Sequence, residues 1–518
     1  ELISKQKSYS AGLDGVSGKM LQIALPWILH PLTHIINYSF ELSQIPSQWK
    51  CALVKPIPKK GAPTCLKDLR PISLLSTLLK IAESALLQQL NIFISQANIL
   101  PTVQSGFRTH FSTTTVLSSL IDDVLKGCCD SKVTSLTLLD MSKAFDAVNF
   151  KLLLAKLKYY GLSENCVTWL ENYLLNRSQV VSCHGSISKP LTIKSGVPQG
   201  SVLGPVLFSI YTADFPKYLQ HCQLHMYADD FQIYYSFNPV SEHNAPEKIN
   251  SDLERSREWT CKNCLSLNLA KTISITLGTP NKIRAINSDL NLHIGGTTIS
   301  SARVVKSLGL HIDNQLKFTD HINKICQTTF NGFKLISPYK NLLDIRSKRL
   351  LTDALILSHL NYADIVYGPC LSCVDKYRLQ KIQNFCVRYI YSIPRDTHIT
   401  PFVRNLGWMK MHERRFHHFI KLITKIRLHN EPHYLQNKIS IRSSVHDRNL
   451  RQIDLTVDIP SHSLSSYKSS FSYLAAYVIN NVLRHYSNLN NHYIIKSVKD
   501  LLLAEQAEIK LKLNLNLF

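Results

Sequence analysis

Two apolar, β-rich runs, Leu224 to Ala228 and Phe231 to Tyr235, are separated by nothing but Asp229 and Asp230. Runs of this length with so short a break read as a β-hairpin, and this hairpin carries two carboxylates at its tip. Adjacent carboxylates repel, and a half-buried strand end rarely carries an Asp without a cation to hold it. A third candidate lies upstream, where the β-rich run Val133 to Leu139 ends at Asp140. After Asn149, an expected N-cap, Phe150, Leu153, Leu154 and Leu157 take helical spacing that Gly161 closes. Three oxygen donors suit a hard divalent cation, Mg²⁺ or Mn²⁺, over zinc, and two such ions about 3.5–4 Å apart serve phosphoryl transfer. An Asp-Asp turn is also common on solvated surfaces, so the aspartates alone leave both readings open.

Charge narrows the partner. The chain of 518 residues sets 59 Lys+Arg against 36 Asp+Glu, a net +23, and residues 321–518 hold 28 of the basic and 13 of the acidic side chains, so +15 falls there. Such an excess suits the phosphates of nucleic acid or an anionic surface. With 45% hydrophobic and 18% charged residues, disorder, collagen and small disulfide scaffolds are excluded, and the length suggests three or four structural units. Thirteen cysteines, an odd count, and the polar, basic stretch Glu1 to Ser10 lead us to expect reduced thiols inside a cell. The most apolar stretch, Met20 to Phe40, is interrupted by Gln22, Pro26, His30 and Pro31, so no membrane span is expected. A first residue that is Glu rather than Met suggests a piece of something longer.

The rest of the chain alternates strand and helix signals. A Gly-rich turn (Gly12, Asp14, Gly15, Gly18) leads into apolar helical stretches that stop before Ile45-Pro46; Ala52 to Ile57 reads as a strand, followed by the basic loop Lys59-Lys60-Gly61. Leu79, Ala82, Leu86, Leu90, Phe93 and Ile94 form one helical face. Ile249 to Asn263 reads as a helix, Thr272 to Leu277 as a strand, and the chain beyond residue 320 as mostly helical, with an irregular Ser-rich stretch from Ser461 to Ser472. Cys261/Cys264 and Cys370/Cys373 have zinc-like spacing, but no His lies between Cys373 and Cys386 and the first pair falls in the expected helix, so buried free thiols are expected.

Seven motifs in a fixed order then carry a resemblance. They are Leu69-Arg70-Pro71-Ile72-Ser73-Leu74-Leu75, Gln104-Ser105-Gly106-Phe107-Arg108, Leu139-Asp140-Met141-Ser142-Lys143-Ala144-Phe145-Asp146, the Gly-rich Ser195 to Pro205, Tyr227-Ala228-Asp229-Asp230, Leu267-Asn268-Leu269-Ala270-Lys271-Thr272 and Leu308-Gly309-Leu310. Together they resemble the reverse transcriptases of non-LTR retrotransposons, most of all the jockey type. The match is specific over about residues 8–320 and weaker in Tyr362 to Gly368 and Gln380 to Arg388. Where the family's entry motif carries a lysine and two prolines, Tyr9 to Gly15 carries none, and Ala213-Asp214 stands where Asn-Asp is usual; both departures lie away from the three aspartates.

The resemblance implies an α+β right-hand polymerase: fingers at 1–125, a palm with an antiparallel sheet at 126–320 that includes an interleaved fingers segment, a helical thumb at 321–400 and a basic helical C-terminal region at 401–518. It implies an RNA-directed DNA polymerase in which Asp140, Asp229 and Asp230 hold two Mg²⁺ ions, with Mn²⁺ as a substitute. Lys271 would protonate the departing pyrophosphate, Phe145 would wall off the 2′-carbon of the sugar, and Gln199 and Gly200 would line the nascent base pair. Lys59 and Arg70 would grip the triphosphate, while Asp146 is read as a local hydrogen-bonding or charge partner and not a metal ligand. The implied partners are an RNA template, a DNA primer or nicked target DNA, and deoxynucleoside triphosphates. No membrane partner is implied. An upstream endonuclease domain is expected in the full element protein but not in this stretch, and the expected place of action is the nucleus, at the site of integration, with no readable targeting signal. The alternative is a lapsed element remnant that only binds nucleic acid.

Overall fold

The computed structural model describes residues 1–4, 9–59, 61–286, 290–439, 457–483, 491–503 and 515–518. The chain divides into two compact units, one made of Glu1–Phe107, Asp140–Gln220 and Ser251–Ala270, the other of Arg108–Leu139, His221–Asn250 and Lys271–Phe518. The strands that position the candidate site are β1 (Cys51–Pro58), β2 (Leu69–Leu74), β3 (Val133–Leu139), β4 (Ser178–Cys183), β5 (Ser186–Ile187), β6 (Leu191–Thr192), β7 (Gln223–Tyr227), β8 (Asp230–Phe237) and β9 (Ile273–Leu277).

In the first unit β1 lies between β2, antiparallel to it from Leu53↔Leu74 to Pro58↔Leu69, and β4, parallel to it from Cys51↔Ser178 to Val54↔Val181; β5 and β6 extend from β4. The helix Thr77–Gln96 buries Leu79, Ala82, Leu86, Leu90 and Ile94, the face that the spacing predicts, with Phe93 only half-buried. Asn149 caps the helix Phe150–Tyr159 by accepting a hydrogen bond from Leu152 N at 3.1 Å, and Gly161 leaves that helix at φ +86°, a left-handed conformation suited to glycine. The helix Gly18–Glu41 starts from Ser17, whose side chain accepts from Met20 N. It contains Pro26 and Pro31, each of which removes one backbone donor.

The second unit is built on a five-stranded sheet in the order Ser300–Ser301, β9, β3, β8, β7, antiparallel except where Ser300–Ser301 joins β9. β3 is central and almost wholly buried, as a strand must be when both of its faces are covered. The helix Thr113–Cys129, opened by a reciprocal cap between Ser112 and Thr115, packs against β3, β7 and β8. The mostly helical character expected beyond residue 320 is present in Thr319–Ile336, Cys373–Tyr391, Met411–His429, Phe471–Asn481 and Asn491–Leu503. These helices are not appended to the sheet. A single apolar core runs from Leu117 and Leu136 through Tyr234, Ile322, Val387 and Phe416 to Phe471 and Phe518.

Two expectations are corrected. Tyr227 pairs with Asp230, so the two turn residues are Ala228 and Asp229, and Asp230 is already the first residue of β8. The thiols of Cys261, Cys264 and Cys373 are exposed, because the helix Ala245–Lys262 turns Cys261 outward and ends before Cys264, while Cys373 opens its own helix. Burial pushes the Cys370 thiol up to about 12. Among the described residues no helix is long and apolar enough to cross a membrane.

Candidate active site

In the second unit, β7 and β8 form the hairpin. Its tight turn puts Ala228 at φ +58°, a region that side-chain-bearing residues enter at a cost of about 1–3 kcal/mol. Asp229 is half-buried and Asp230 exposed. The register between β3 and β8 pairs Leu138 with Gln232 and Leu139 with Phe231, the last pair of the ladder. Thus β3 stops opposite the residue that directly follows Asp229-Asp230, and Asp140 is the next residue of the chain. Lys271 is exposed and comes two residues before β9 begins.

In the first unit, the segment that starts at Asp140 is strapped to the motif around residue 268. Asn268 N donates to the Asp140 carbonyl at 2.8 Å, Met141 bridges Leu267, and Ser142 N donates to the Ser266 carbonyl at 2.9 Å. Lys143, at φ +49°, turns the chain into the single helical turn Ala144–Ala147 that carries Phe145 and Asp146. The Phe145 ring stacks on Phe208, 4.5 Å between centroids at 24°, and meets Phe107 edge-on at 6.3 Å, so its orientation is fixed although it remains half-buried.

The Gly-rich segment is sewn to this turn. Val197 N donates to the Phe145 carbonyl at 2.9 Å, Gly196 N to the Val148 carbonyl at 2.9 Å, and Gln199 Nε2 to Asp146 Oδ1 at 2.9 Å. Asp146 is therefore a local hydrogen-bonding partner, and the group it holds is the Gln199 amide. On its other side the segment meets β2, where Ser73 N donates to the Gln199 carbonyl at 2.8 Å. Glycine is required at both approaches: a Cβ on Gly196 would lie 2.6 Å from the Asp146 carbonyl oxygen, and one on Gly200 would lie 2.5 Å from that of Ser73. Lys59 and Arg70 both fall at the far end of the β1–β2 hairpin, Arg70 opposite Ile57 and Lys59 N donating to the Asp68 carbonyl at 2.7 Å, and both side chains are exposed.

Sequence reasoning passed over the support beneath the Gly-rich segment. Glu83 is fully buried; one carboxylate oxygen accepts from Tyr173 Oη at 2.6 Å and the other from Val202 N at 2.7 Å. Burial pushes its carboxyl up, against the pull of those hydrogen bonds and of Arg177. The buried Arg177 lies over the Tyr173 ring, 5.0 Å from its centroid. The signal was present, for Glu83 is the single acid on the face made by Leu79, Ala82, Leu86 and Leu90. Among the described residues no three His, Cys, Asp or Glu side chains are gathered as a ready-made metal cage. Magnesium in nucleotide sites is commonly held by one or two carboxylates with substrate phosphates and water completing the shell, and Asp140, Asp229 and Asp230 each carry hard oxygen donors of the kind such a shell uses.

A hairpin with Asp229 in its turn and Asp230 opening its second strand, antiparallel to a strand that stops just before Asp140, describes a nucleic-acid polymerase palm. Residues 57–312 match the family "Reverse transcriptase (RNA-dependent DNA polymerase)", and this stretch of the chain is a reverse transcriptase domain. Its relatives are proteins of non-LTR transposons. It is 30% identical over 443 residues to the "Probable RNA-directed DNA polymerase from transposon BS" of Drosophila melanogaster, covering 81% of this chain and 47% of the relative. It is 28% identical over 380 residues to the "RNA-directed DNA polymerase from mobile element jockey" of Drosophila funebris, covering 71% and 41%. The chain thus spans about half the length of the curated relatives it matches. The jockey-like resemblance drawn from the ordered motifs is borne out. A solved telomerase from Candida tropicalis, in complex with a fragment of telomeric RNA, overlaps 80% of this chain and 65% of its own at 16% identity and a TM-score of 0.36, too loosely to add to that assignment.

Proposed function

We propose that this chain extends a DNA 3′-hydroxyl on an RNA template by nucleotidyl transfer from deoxynucleoside triphosphates. The observation that carries the reading is the end of the β3–β8 ladder at Leu139↔Phe231, which leaves Asp140 and Asp229-Asp230 as the next residues of two neighbouring strands. Asp140, Asp229 and Asp230 would hold two Mg²⁺ ions, which when bound lower the pKa of the attacking hydroxyl and neutralise charge on the triphosphate. Lys59 and Arg70 supply a point charge and a fork of donors for that triphosphate. Phe145, held by Phe208 and Phe107, closes the space a 2′-hydroxyl needs. Gln199 and Gly200 present amide and backbone to the new base pair, with the Gln199 amide steadied on Asp146. Lys271 gives a proton to the departing pyrophosphate.

On this reading residues 1–125 act as fingers, 126–320 as palm and 321–400 as thumb, and the substrate is a primer end at nicked chromosomal DNA paired to the element's own transcript. The test is incorporation of a labelled deoxynucleotide by the purified chain on a primed RNA template, with and without Mg²⁺. Incorporation that follows the template base and stops on chelation is expected; no incorporation on any primed RNA refutes the reading.

A further inference from the structure

Lys438 lies far beyond residue 312, where the family match ends, yet it reaches into the core of the sheet's own unit. Its side chain is 16% exposed, and its ammonium donates to Asp122 Oδ2 at 2.9 Å, to Asp123 Oδ1 and to the Ser119 carbonyl at 3.3 Å. Asp122, 2% exposed, also accepts from Ser472 N at 2.7 Å and Ser472 Oγ at 2.8 Å. The second oxygen of Asp123 accepts from Tyr234 Oη at 2.8 Å. Tyr234 is buried in β8, and since side chains alternate along a strand it shares a face with Gln232 and Asp230. Beside it, His225 of β7 lies between the rings of Tyr234, 5.9 Å away, and Tyr434, 5.1 Å away. Burial holds His225 down to about 3, with Lys438 adding to the effect, so it packs as a neutral ring.

Two adjacent carboxylates, Asp122 buried and Asp123 half-buried, repel each other, and a cation between them relieves that repulsion. Desolvation by itself would push the Lys438 ammonium down, but Asp122 and Asp123 outweigh it and hold its pKa above the ordinary value. A charged Asp123 is a stronger acceptor for the Tyr234 hydroxyl than a neutral one, because hydrogen bonds to ions are about twice as strong as those between neutral groups. We propose that Lys438 is a positioning residue for polymerisation: by joining Asp122 and Asp123 it holds the Asp123 carboxylate on Tyr234 Oη and so fixes the strand that begins at Asp230. The basic region past residue 400 thereby has a mechanical task as well as its charge. The consequence for catalysis rests on the polymerase reading; the fixing of the strand does not.

The experiment compares Tyr234→Phe, Lys438→Met and the double variant in the full chain. Tyr234→Phe keeps the ring and loses one hydroxyl, so it folds even where Lys438→Met, which strands two carboxylates, does not. Amide hydrogen exchange across residues 230–237 should rise by about tenfold in Tyr234→Phe, the equivalent of about 1.4 kcal/mol, while that across β1 and β2 stays as in the wild type. In primer extension, kcat should fall by about the same factor with the KM for the deoxynucleotide unchanged, and the double variant should be no worse than Lys438→Met alone. Wild-type exchange across 230–237 in Tyr234→Phe, or losses in the double variant that multiply, would overturn the proposal. A wild-type chain that extends no primer, with the exchange effect intact, would refute the polymerase reading and leave the positioning of the strand standing.

Discussion

Replacing Gly196 with Ala tests how rigidly the Gly-rich wall is joined to the aromatic turn. Gly196 sits at φ +89°, where an L-residue costs about 1–2 kcal/mol. The new Cβ would also lie 2.6, 2.7 and 2.8 Å from the carbonyl oxygen, Cα and carbonyl carbon of Asp146, all of them backbone atoms that no side-chain rotation can clear. Gly196 N→Val148 O and Val197 N→Phe145 O hold the two segments together, so relief has to break a hydrogen bond or pay an overpacking cost of about 1–3 kcal/mol. The sum is about 2–5 kcal/mol, a large fraction of the roughly 5–15 kcal/mol by which a domain is stable. Gly161→Ala is the control, since Gly161 has φ +86° with nothing within 4 Å of its Cβ position and so bears the conformational cost alone. In urea melts of the full chain, Gly196→Ala should lose more stability than Gly161→Ala by about 1–3 kcal/mol. Equal losses in the two variants would show that the Asp146 backbone yields freely, and the idea of a rigid wall would fail.

Phe145→Ala should raise ribonucleotide incorporation relative to deoxynucleotide incorporation in single-nucleotide primer extension, because the proposed barrier is steric; unchanged sugar discrimination would make Phe145 a packing residue for Phe208 and no more. Glu83→Gln should flatten the dependence of stability on pH. The buried carboxyl of Glu83 has its pKa raised above the ordinary 4.5, so its contribution is fully present below that value and is lost as the pH rises through the raised one. Wild-type melting temperatures that fall across that window no more steeply than the variant's would contradict it. Deleting residues 321–518 should unfold the second unit, visible as loss of near-UV circular dichroism, because the deleted residues supply Ile322, Val387, Phe416 and Phe471 to the core that covers Leu117 and Leu136; a deletion that keeps native dichroism would mean the sheet is covered without them.

The strands and helices that rest on local pattern were legible from residues alone. The face of Thr77–Gln96, the Asn149 cap and the β7–β8 pairing all follow from spacings of a few residues. The hairpin turn was misplaced by one residue because an Asp-Asp pair looks like turn chemistry, whereas the register set by burying Met226 against Phe231 puts Ala228 in the turn. The aspartates were conspicuous because carboxylates interrupt apolar runs. Glu83, Tyr173 and Arg177 were not, since their meaning comes from contacts across 90 residues of chain or more, as between Tyr173 and Glu83. Lys438 is further still from the carboxylates it joins, separated from Asp122 by 316 residues, and on the sequence it is one more lysine in a basic region.

The central claim, that the carboxylates at this end of the sheet perform nucleotidyl transfer, is tested most directly by single-turnover primer extension on an RNA template with Mg²⁺, comparing the wild type, Asp140→Ala, Asp229→Ala and Asp146→Asn at matched folded concentration. Losing a metal ligand removes several kcal/mol of transition-state stabilisation, so Asp140→Ala and Asp229→Ala should each slow extension on the order of a thousandfold while melting near the wild-type temperature. Asp146→Asn still accepts the Gln199 amide and should lose far less. Wild-type rates in Asp140→Ala or Asp229→Ala, or an equal loss in all three variants, would contradict the account.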